Sequence, residues 1–252
     1  MKEKIEVVAH RGFSSAAPEN TMLAFMKAIE AKVDMIELDV HLTSDQERVV
    51  IHDETVDRTT SNTGWVKDFS LAKIKECGIR NPQNHLLEEK IPTLAEVLTL
   101  IQRNQQIKLN IELKTDQIHY HGIEHLVVQE VNRFGLNDRV IYSSFNHQTL
   151  KRIKQLNPKA SIAVLFDSHN LPDKPWEYSL RIEADAIHPH YTTVHRDWLE
   201  VCYRHQISVR PYTVNNIYTM RQLIQLEVNG IITDYPDRLQ QILKEKESGC
   251  PR

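Results

Sequence analysis

The chain has 252 residues, enough for one large α/β domain or two small ones. Hydrophobic residues make up 40% and charged residues 26%, and the net charge of −3 offers no basis for binding nucleic acid or an acidic membrane surface. The three cysteines, Cys77, Cys202 and Cys250, show no short paired spacing, which argues against a disulfide framework or a zinc ribbon and for a reducing compartment. Met1-Lys2-Glu3-Lys4 leads straight into a strand, with no apolar leader segment and no run of bilayer length anywhere. The expectation is a cytoplasmic protein without stable membrane insertion.

Residues 5–10 read as a first strand that ends in His10-Arg11-Gly12. A helix over 21–32 follows Pro18-Glu19-Asn20, with Asn20 or Thr21 as its cap. The next strand, over 35–41, is unusual. Ile36, Leu38 and Val40 share one face, and Glu37 and Asp39 share the other. Residues 43–92 are too long for an ordinary connection. They contain a short strand over 48–51, expected to pair back on its predecessor, and a helix over 70–75. This segment reads as an insertion over one end of the fold, not a separate domain, so residues 1–252 form one domain. Thr93 and Glu96 have the spacing of a capping box and open the next helix. The strand over 108–114 repeats the earlier design, with Leu109, Ile111 and Leu113 on one face and Asn110, Glu112 and Lys114 on the other.

Helical periodicity then covers 122–134, 146–156, 195–205, 216–227 and 236–246, with a weak short helix near 176–182. Strands over 139–144, 161–166, 186–190, 207–214 and 230–233 alternate with these helices. The charged tail from Lys244 is expected to fray. Eight strands in alternation with helices predict a (β/α)₈ TIM barrel. The rival is an open doubly wound sheet, which usually carries a Gly-rich first turn, and this chain has only seven glycines.

Barrel sites form at the C-terminal ends of the strands. His10 and Arg11 end the first strand, Glu37 and Asp39 lie along the second, His52-Asp53 ends the extra strand, and Glu112 and Lys114 lie along the next. Carboxylates inside apolar strands are costly unless paired or metal-bound. Oxygen ligands without cysteine suit a hard cation, Mg²⁺ or Ca²⁺. Arg11 and Lys114 supply positive charge for a phosphate. His10 and His52 can act as general base and general acid. A half-exposed sheet with a solvated polar face explains either acidic strand alone, but not their coincidence with both histidines at one rim. His119, His121, His125 and His205 lie in polar contexts and are assigned no function. The combination describes phosphoryl-ester cleavage.

These residues also carry a family resemblance. His10-Arg11-Gly12 with Pro18-Glu19-Asn20-Thr21, Glu37-Leu38-Asp39-Val40, His52-Asp53 with Asp57-Arg58-Thr59-Thr60, and Glu112-Leu113-Lys114 resemble, in order and spacing, the motifs of the glycerophosphodiester phosphodiesterases. Thr213-Val214-Asn215 and Gly230-Ile231-Ile232-Thr233-Asp234-Tyr235-Pro236 resemble that family's closing blocks. The resemblance implies a barrel with an insertion after its second strand, His10 and His52 as the acid/base pair, and Glu37, Asp39 and Glu112 as metal ligands. It implies Arg11 and Lys114 on the substrate phosphate, and Glu19 and Asn20 shaping the same mouth, with Asn20 bracing the first loop. Tyr212 stands where the family commonly has Trp, which alters the glycerol side of the substrate pocket. Asn62 stands where the insertion commonly has glycine.

The expected activity is metal-dependent hydrolysis of glycerophosphodiesters to sn-glycerol 3-phosphate and an alcohol. The nucleophile, water or the glycerol 2-hydroxyl, stays open. The expected partner is that small molecule, with a homodimer as one open assembly. The alternatives are a phospholipase D-like or lysophospholipid-cleaving barrel and a non-catalytic barrel that binds a phosphate ligand. Trp65 and Phe69 in the insertion would favour the lipid reading, but Lys67, Asp68 and Lys73 interrupt them.

Overall fold

The computed structural model describes residues 4–80 and 85–247. The expected fraying of the tail and Cys250 concern 248–252, outside the described residues. β1 (Glu6–Ala9) leads to α1 (Met22–Glu30) and β2 (Met35–Leu42). The segment after β2 holds β3 (Arg48–Val50), the single-turn α2 (Leu71–Ile74), and the two-residue strands β4 (Ile79–Arg80) and β5 (Leu86–Leu87). α3 (Leu94–Arg103) precedes β6 (Lys108–Leu113), α4 (Ile123–Arg133), β7 (Val140–Ser144), α5 (His147–Leu156) and β8 (Ser161–Phe166). α6 (Pro175–Arg181), β9 (Ala186–Pro189), α7 (Arg196–Arg204), β10 (Ser208–Val209), α8 (Ile217–Gln225), β11 (Gly230–Thr233) and α9 (Pro236–Glu247) complete the order.

The main sheet runs β10-β9-β8-β7-β6-β2-β1-β11, with every neighbouring pair in this order parallel, and β3 adds antiparallel to β2. Hydrogen bonds draw the two edges together. The Asn229 N–H donates to the Val209 carbonyl at 3.0 Å, Ile232 N–H to Pro211 at 3.0 Å, and Val214 N–H to Ile232 at 2.9 Å. This is a nearly closed eight-stranded barrel with helices between its strands, and it removes the open-sheet alternative. One expected strand is much shorter than its pattern. Residues 207–214 give only the two-residue β10, because Pro211 has no N–H and interrupts the ladder.

Alternation along the strands separates two apolar layers. Val7, Ala9, Ile36, Leu38, Leu109, Ile111, Tyr142 and Ile162 point outward and pack against the helices. Val8, Met35, Ile141, Ala163, Ala186 and Ile232 point inward and fill the barrel, with Tyr212 packed on them. Continuing the inward register places Glu37, Asp39, Asn110, Glu112, Ser143 and His188 inside the barrel, all buried. Helix starts follow their caps: Thr21, not Asn20, accepts from the Ala24 N–H, Thr93 and Glu96 form the expected capping box, and Asn146 and Asn216 cap α5 and α8. The segment after β2 has its own small core of Val49, Ile51, Val56, Val66, Ile74, Cys77, Ile79 and Ile91. Its β3 folds back antiparallel on the C-terminal half of β2, and the chain beyond it carries His52.

Candidate active site

Glu37, Asp39 and Glu112 converge because β2 and β6 pair in register, with Glu37 opposite Asn110 and Asp39 opposite Glu112. One carboxylate oxygen from each lies within 4.8 Å of the others, and all three residues are buried. Three acids this close in a buried setting repel one another. Burial, with Asp39 and Glu112 beside it, pushes the Glu37 carboxyl well above its usual range. Burial also raises Glu112, although Lys114 pulls it back. Burial works against ionised Asp39 too, but Arg11, His52 and Lys114 hold that carboxyl at about 2. The Asp39 Oδ1 atom is buried with no hydrogen-bond partner among the described residues. An all-oxygen donor set, mutual repulsion and an unpartnered inward oxygen fit a hard divalent cation.

The loop after β1 braces this cluster. Arg11 and Asn20 both adopt left-handed backbone conformations, at φ 55° and 56°. Such φ values are uncommon outside glycine and are typical of functional sites. The Arg11 N–H donates to Glu37 Oε2 at 2.8 Å, and its Nε lies 3.6 Å from Asp39 Oδ2. Asn20 Nδ2 donates to the same Asp39 oxygen at 2.9 Å. Glu19 accepts from Arg11 Nη1 at 2.8 Å and takes two further bonds from Arg58, each at 2.8 Å. Asn20 therefore reaches beyond the loop it was expected to brace and holds a carboxylate of the cluster. Glu19 is an ion-pair hub whose oxygens are already taken by guanidinium groups.

Both histidines stand at this rim. His52 Nδ1 lies 2.6 Å from Asp53 Oδ1, and its carbonyl accepts from His41 Nε2 at 3.0 Å. Its Nε2 lies 3.4 Å from Lys114 Nζ, which also donates to Glu112 Oε1 at 3.0 Å. Glu112 and Asp39 overcome burial and raise the Lys114 ammonium above its ordinary value, so it is a donor only. His52 Nε2 must then be the acceptor, and the ring proton sits on Nδ1 facing Asp53. His10 Nδ1 lies 2.6 Å from Asp234 Oδ1. Tyr212 is half-buried, donates its hydroxyl to the Phe166 carbonyl at 3.0 Å, and meets Phe145 and His190 edge-on.

Asp53, Asp234, Arg58, Asn215 and His41 received no role from the sequence. Arg58 donates from Nε to Asp53 Oδ2 at 2.7 Å while also holding Glu19, so it ties the insertion to the first loop. Asp53 was visible as the neighbour of His52. Asp234 follows the last residue of β11, and that position alone assigns it to the same rim. Arg58 stood in a motif block without a role, and nothing local points to His41.

Comparison with known proteins places this arrangement. The profile of the Glycerophosphoryl diester phosphodiesterase family matches residues 10–238. A glycerophosphodiester phosphodiesterase of Caldanaerobacter subterraneus is 41% identical over 244 residues, covering 96% of this chain and 99% of that protein. A glycerophosphodiester phosphodiesterase of Parabacteroides distasonis is similar in structure, with a TM-score of 0.84 at 27% identity, covering 98% of this chain and 100% of the other. An Oleispira antarctica phosphodiesterase in complex with the product sn-glycerol-3-phosphate has a TM-score of 0.82 at 25% identity, covering 95% and 96%. No helix among the described residues is long and apolar enough to cross a membrane.

Proposed function

The chain belongs to the glycerophosphoryl diester phosphodiesterase family, and on that premise we propose that it hydrolyses glycerophosphodiesters to sn-glycerol 3-phosphate and an alcohol, using His10 and His52 for proton transfer beside a divalent cation. The observation that carries this reading is the meeting of three buried carboxylates, two histidines, Arg11 and Lys114 at one barrel mouth. Glu37, Asp39 and Glu112 would hold the cation. When bound, it supplies Lewis-acid neutralisation of phosphate charge. A Mg²⁺ or a Ca²⁺ ion suits these ligands equally.

The chain's own groups supply the rest. Lys114 keeps its ammonium charge between Glu112 and His52, where it can meet a phosphoryl oxygen as negative charge grows. Arg11 presents its guanidinium from the same side. Both rings turn Nδ1 to an aspartate and Nε2 away from it, and in this reading His52 takes the proton of the attacking hydroxyl at Nε2 once Lys114 turns to the phosphate. In its protonated form, with Nδ1–H held by Asp234, His10 delivers its Nε2 proton to the leaving alkoxide and is reprotonated from solvent for the next cycle. Asn20 and Glu19 brace Asp39 and Arg11 and do not themselves meet the anion. Tyr212 and Phe145 meet edge-on and offer an apolar surface that suits the carbon backbone of glycerol. The buried free thiols of Cys77 and Cys202 fit a reducing setting such as the cytoplasm.

The test is a coupled assay for glycerol 3-phosphate released from glycerophosphocholine and glycerophosphoethanolamine. Release should require added Mg²⁺ or Ca²⁺ after metal-free preparation and stop with excess EDTA. Full turnover in EDTA removes the cation from the reading. No release from either diester with either metal removes the substrate class. The lipid-cleaving alternative predicts release from lysophospholipid instead, and the relatives' names favour the diester.

A further inference from the structure

The two closing blocks of the sequence, around Asn215 and Asp234, have no part in the chemistry above, yet Asp234 meets His10 between β11 and β1, and Asn215 reaches Asp234 from the end of the β10 segment. We infer that Asp234 is a positioning residue for His10, clamped by Asn215, and that it locks the imidazole in the tautomer that presents Nε2 to the phosphodiester. The inference rests on the reading that His10 works on the substrate.

A carboxylate is an acceptor only, so the 2.6 Å contact between Asp234 Oδ1 and His10 Nδ1 puts the ring proton on Nδ1 and leaves Nε2 free in the neutral ring. Asp234 is itself held on every side. Asn215 Nδ2 donates to its Oδ2 at 2.6 Å, and Asn215 Oδ1 accepts its backbone N–H at 3.0 Å. The same oxygen accepts the Thr233 hydroxyl at 3.2 Å. Arg238 Nη1 donates to the Asn215 carbonyl at 2.8 Å and fastens the clamp in turn. Ser14 Oγ lies 2.9 Å from Asp234 Oδ1 and 2.8 Å from the His10 carbonyl, so its one hydroxyl proton is shared between these two acceptors. The main chains are joined as well. The His10 N–H donates to the Thr233 carbonyl at 3.0 Å, and Ser15 N–H to that of Asp234 at 3.1 Å. Burial would disfavour the Asp234 anion, but the bonds from His10, Asn215 and Ser14 keep its carboxyl near 2. It therefore stays ionised wherever the enzyme works.

The histidines differ in their support. Asp53 is shared between His52 and the Arg58 guanidinium. Among the described residues, the Asp234 carboxylate has only the amide of Asn215 and the hydroxyl of Ser14 besides His10. Its charge is directed at one ring, so its removal should act through His10 alone. A third group that orients a base or acid is a recurring device, and losing it can cost several orders of magnitude in rate.

The experiment is a set of cycles with glycerophosphocholine at saturating cation. Asp234→Ala should lower kcat at least about tenfold, with KM within about threefold of wild type. Asp234→Asn should not recover that loss, because the Asn215 amide donates to the second oxygen and turns the new NH2 towards His10 Nδ1, which favours the wrong tautomer. Asn215→Ala should give a smaller loss of the same kind and serves if Asp234→Ala does not fold. None of the three should lower activity further in the His10→Ala background. In ¹⁵N-histidine NMR, His10 should show the Nδ1–H tautomer in wild type and lose it in Asp234→Ala. Activity of Asp234→Ala within twofold of wild type, while His10→Ala is impaired, overturns the inference and spares the reading beneath it. An additive loss in the His10→Ala background means a merely structural role and overturns it too. Undiminished activity of His10→Ala itself brings down the reading of His10, a different and recognisable result.

Discussion

Lys114 has two neighbours whose demands differ, and this decides how its loss should look. Its ammonium lies 3.0 Å from Glu112 Oε1 and 3.4 Å from His52 Nε2. Glu112→Gln removes a ligand charge, so raised Mg²⁺ or Ca²⁺ should restore much of the lost rate. Lys114→Met removes the counter-charge to the phosphoryl oxygens, a loss of about 10²–10³-fold in kcat that added cation cannot refill. Because Lys114 also holds Glu112 ionised, the Lys114→Met enzyme should need somewhat more cation for half-saturation. Cation titrations of the two variants decide the matter. If Lys114→Met recovers fully and Glu112→Gln does not, the ligand and the phosphate partner have been exchanged.

Among the elements, the strands that carry the site were legible and the contacts between distant segments were not. The alternation of Glu37 and Asp39, and of Asn110, Glu112 and Lys114, is a local pattern, and the register of β2 on β6 turns it into one cluster. The β4–β5 hairpin of two-residue strands has no periodicity long enough to read. The bond from His10 to Asp234 spans 224 positions, and that from Arg58 to Glu19 spans 39. No local rule links such residues. Ion pairs of this kind exist only once the barrel closes and the insertion docks. The turn after β1 shows local sequence and tertiary packing acting on one residue. Gly12 has φ +80°, and a Cβ there would stand 2.8 Å from the backbone and Cβ of Ala24 in α1. Gly12→Ala should therefore lower unfolding free energy by at least about 2 kcal/mol, from left-handed backbone strain and displacement of the helix. It should also depress kcat, because His10 and Arg11 ride on the same turn. A urea midpoint unchanged from wild type would show that the turn relaxes without strain.

Over the whole molecule, polarity is layered along the barrel axis. At the N-terminal end, Glu6 from β1 accepts from Nε of Arg210, which directly follows β10, at 2.7 Å and from Lys108 of β6 at 2.9 Å, an ionic plug. The acidic cluster occupies the other end. His188 lies between them, fully buried, and neither ring nitrogen has a partner among the described residues. Burial, with Arg210 nearby, drives its pKa well below the ordinary 6.5. His41, buried under His52, is likewise lowered to about 4. Above pH 6.5 neither ring carries charge in either state, and they add nothing to the pH dependence of folding. Below it the unfolded chain binds protons at these two histidines that the folded barrel refuses, so their contribution to stability falls as pH falls. Each such histidine contributes a slope of about 1.4 kcal/mol per pH unit, for His41 ending near its folded value. Replacing His188 by Leu removes one slope and leaves the barrel without a buried ring that lacks partners, so the variant should hold its stability near neutrality. Urea unfolding of wild type and His188→Leu from neutral pH to about pH 5 should give curves that diverge steadily below pH 6.5, with the variant ahead. Parallel curves across that range would mean that His188 binds its proton inside the folded barrel, and that the interior between plug and mouth solvates charge.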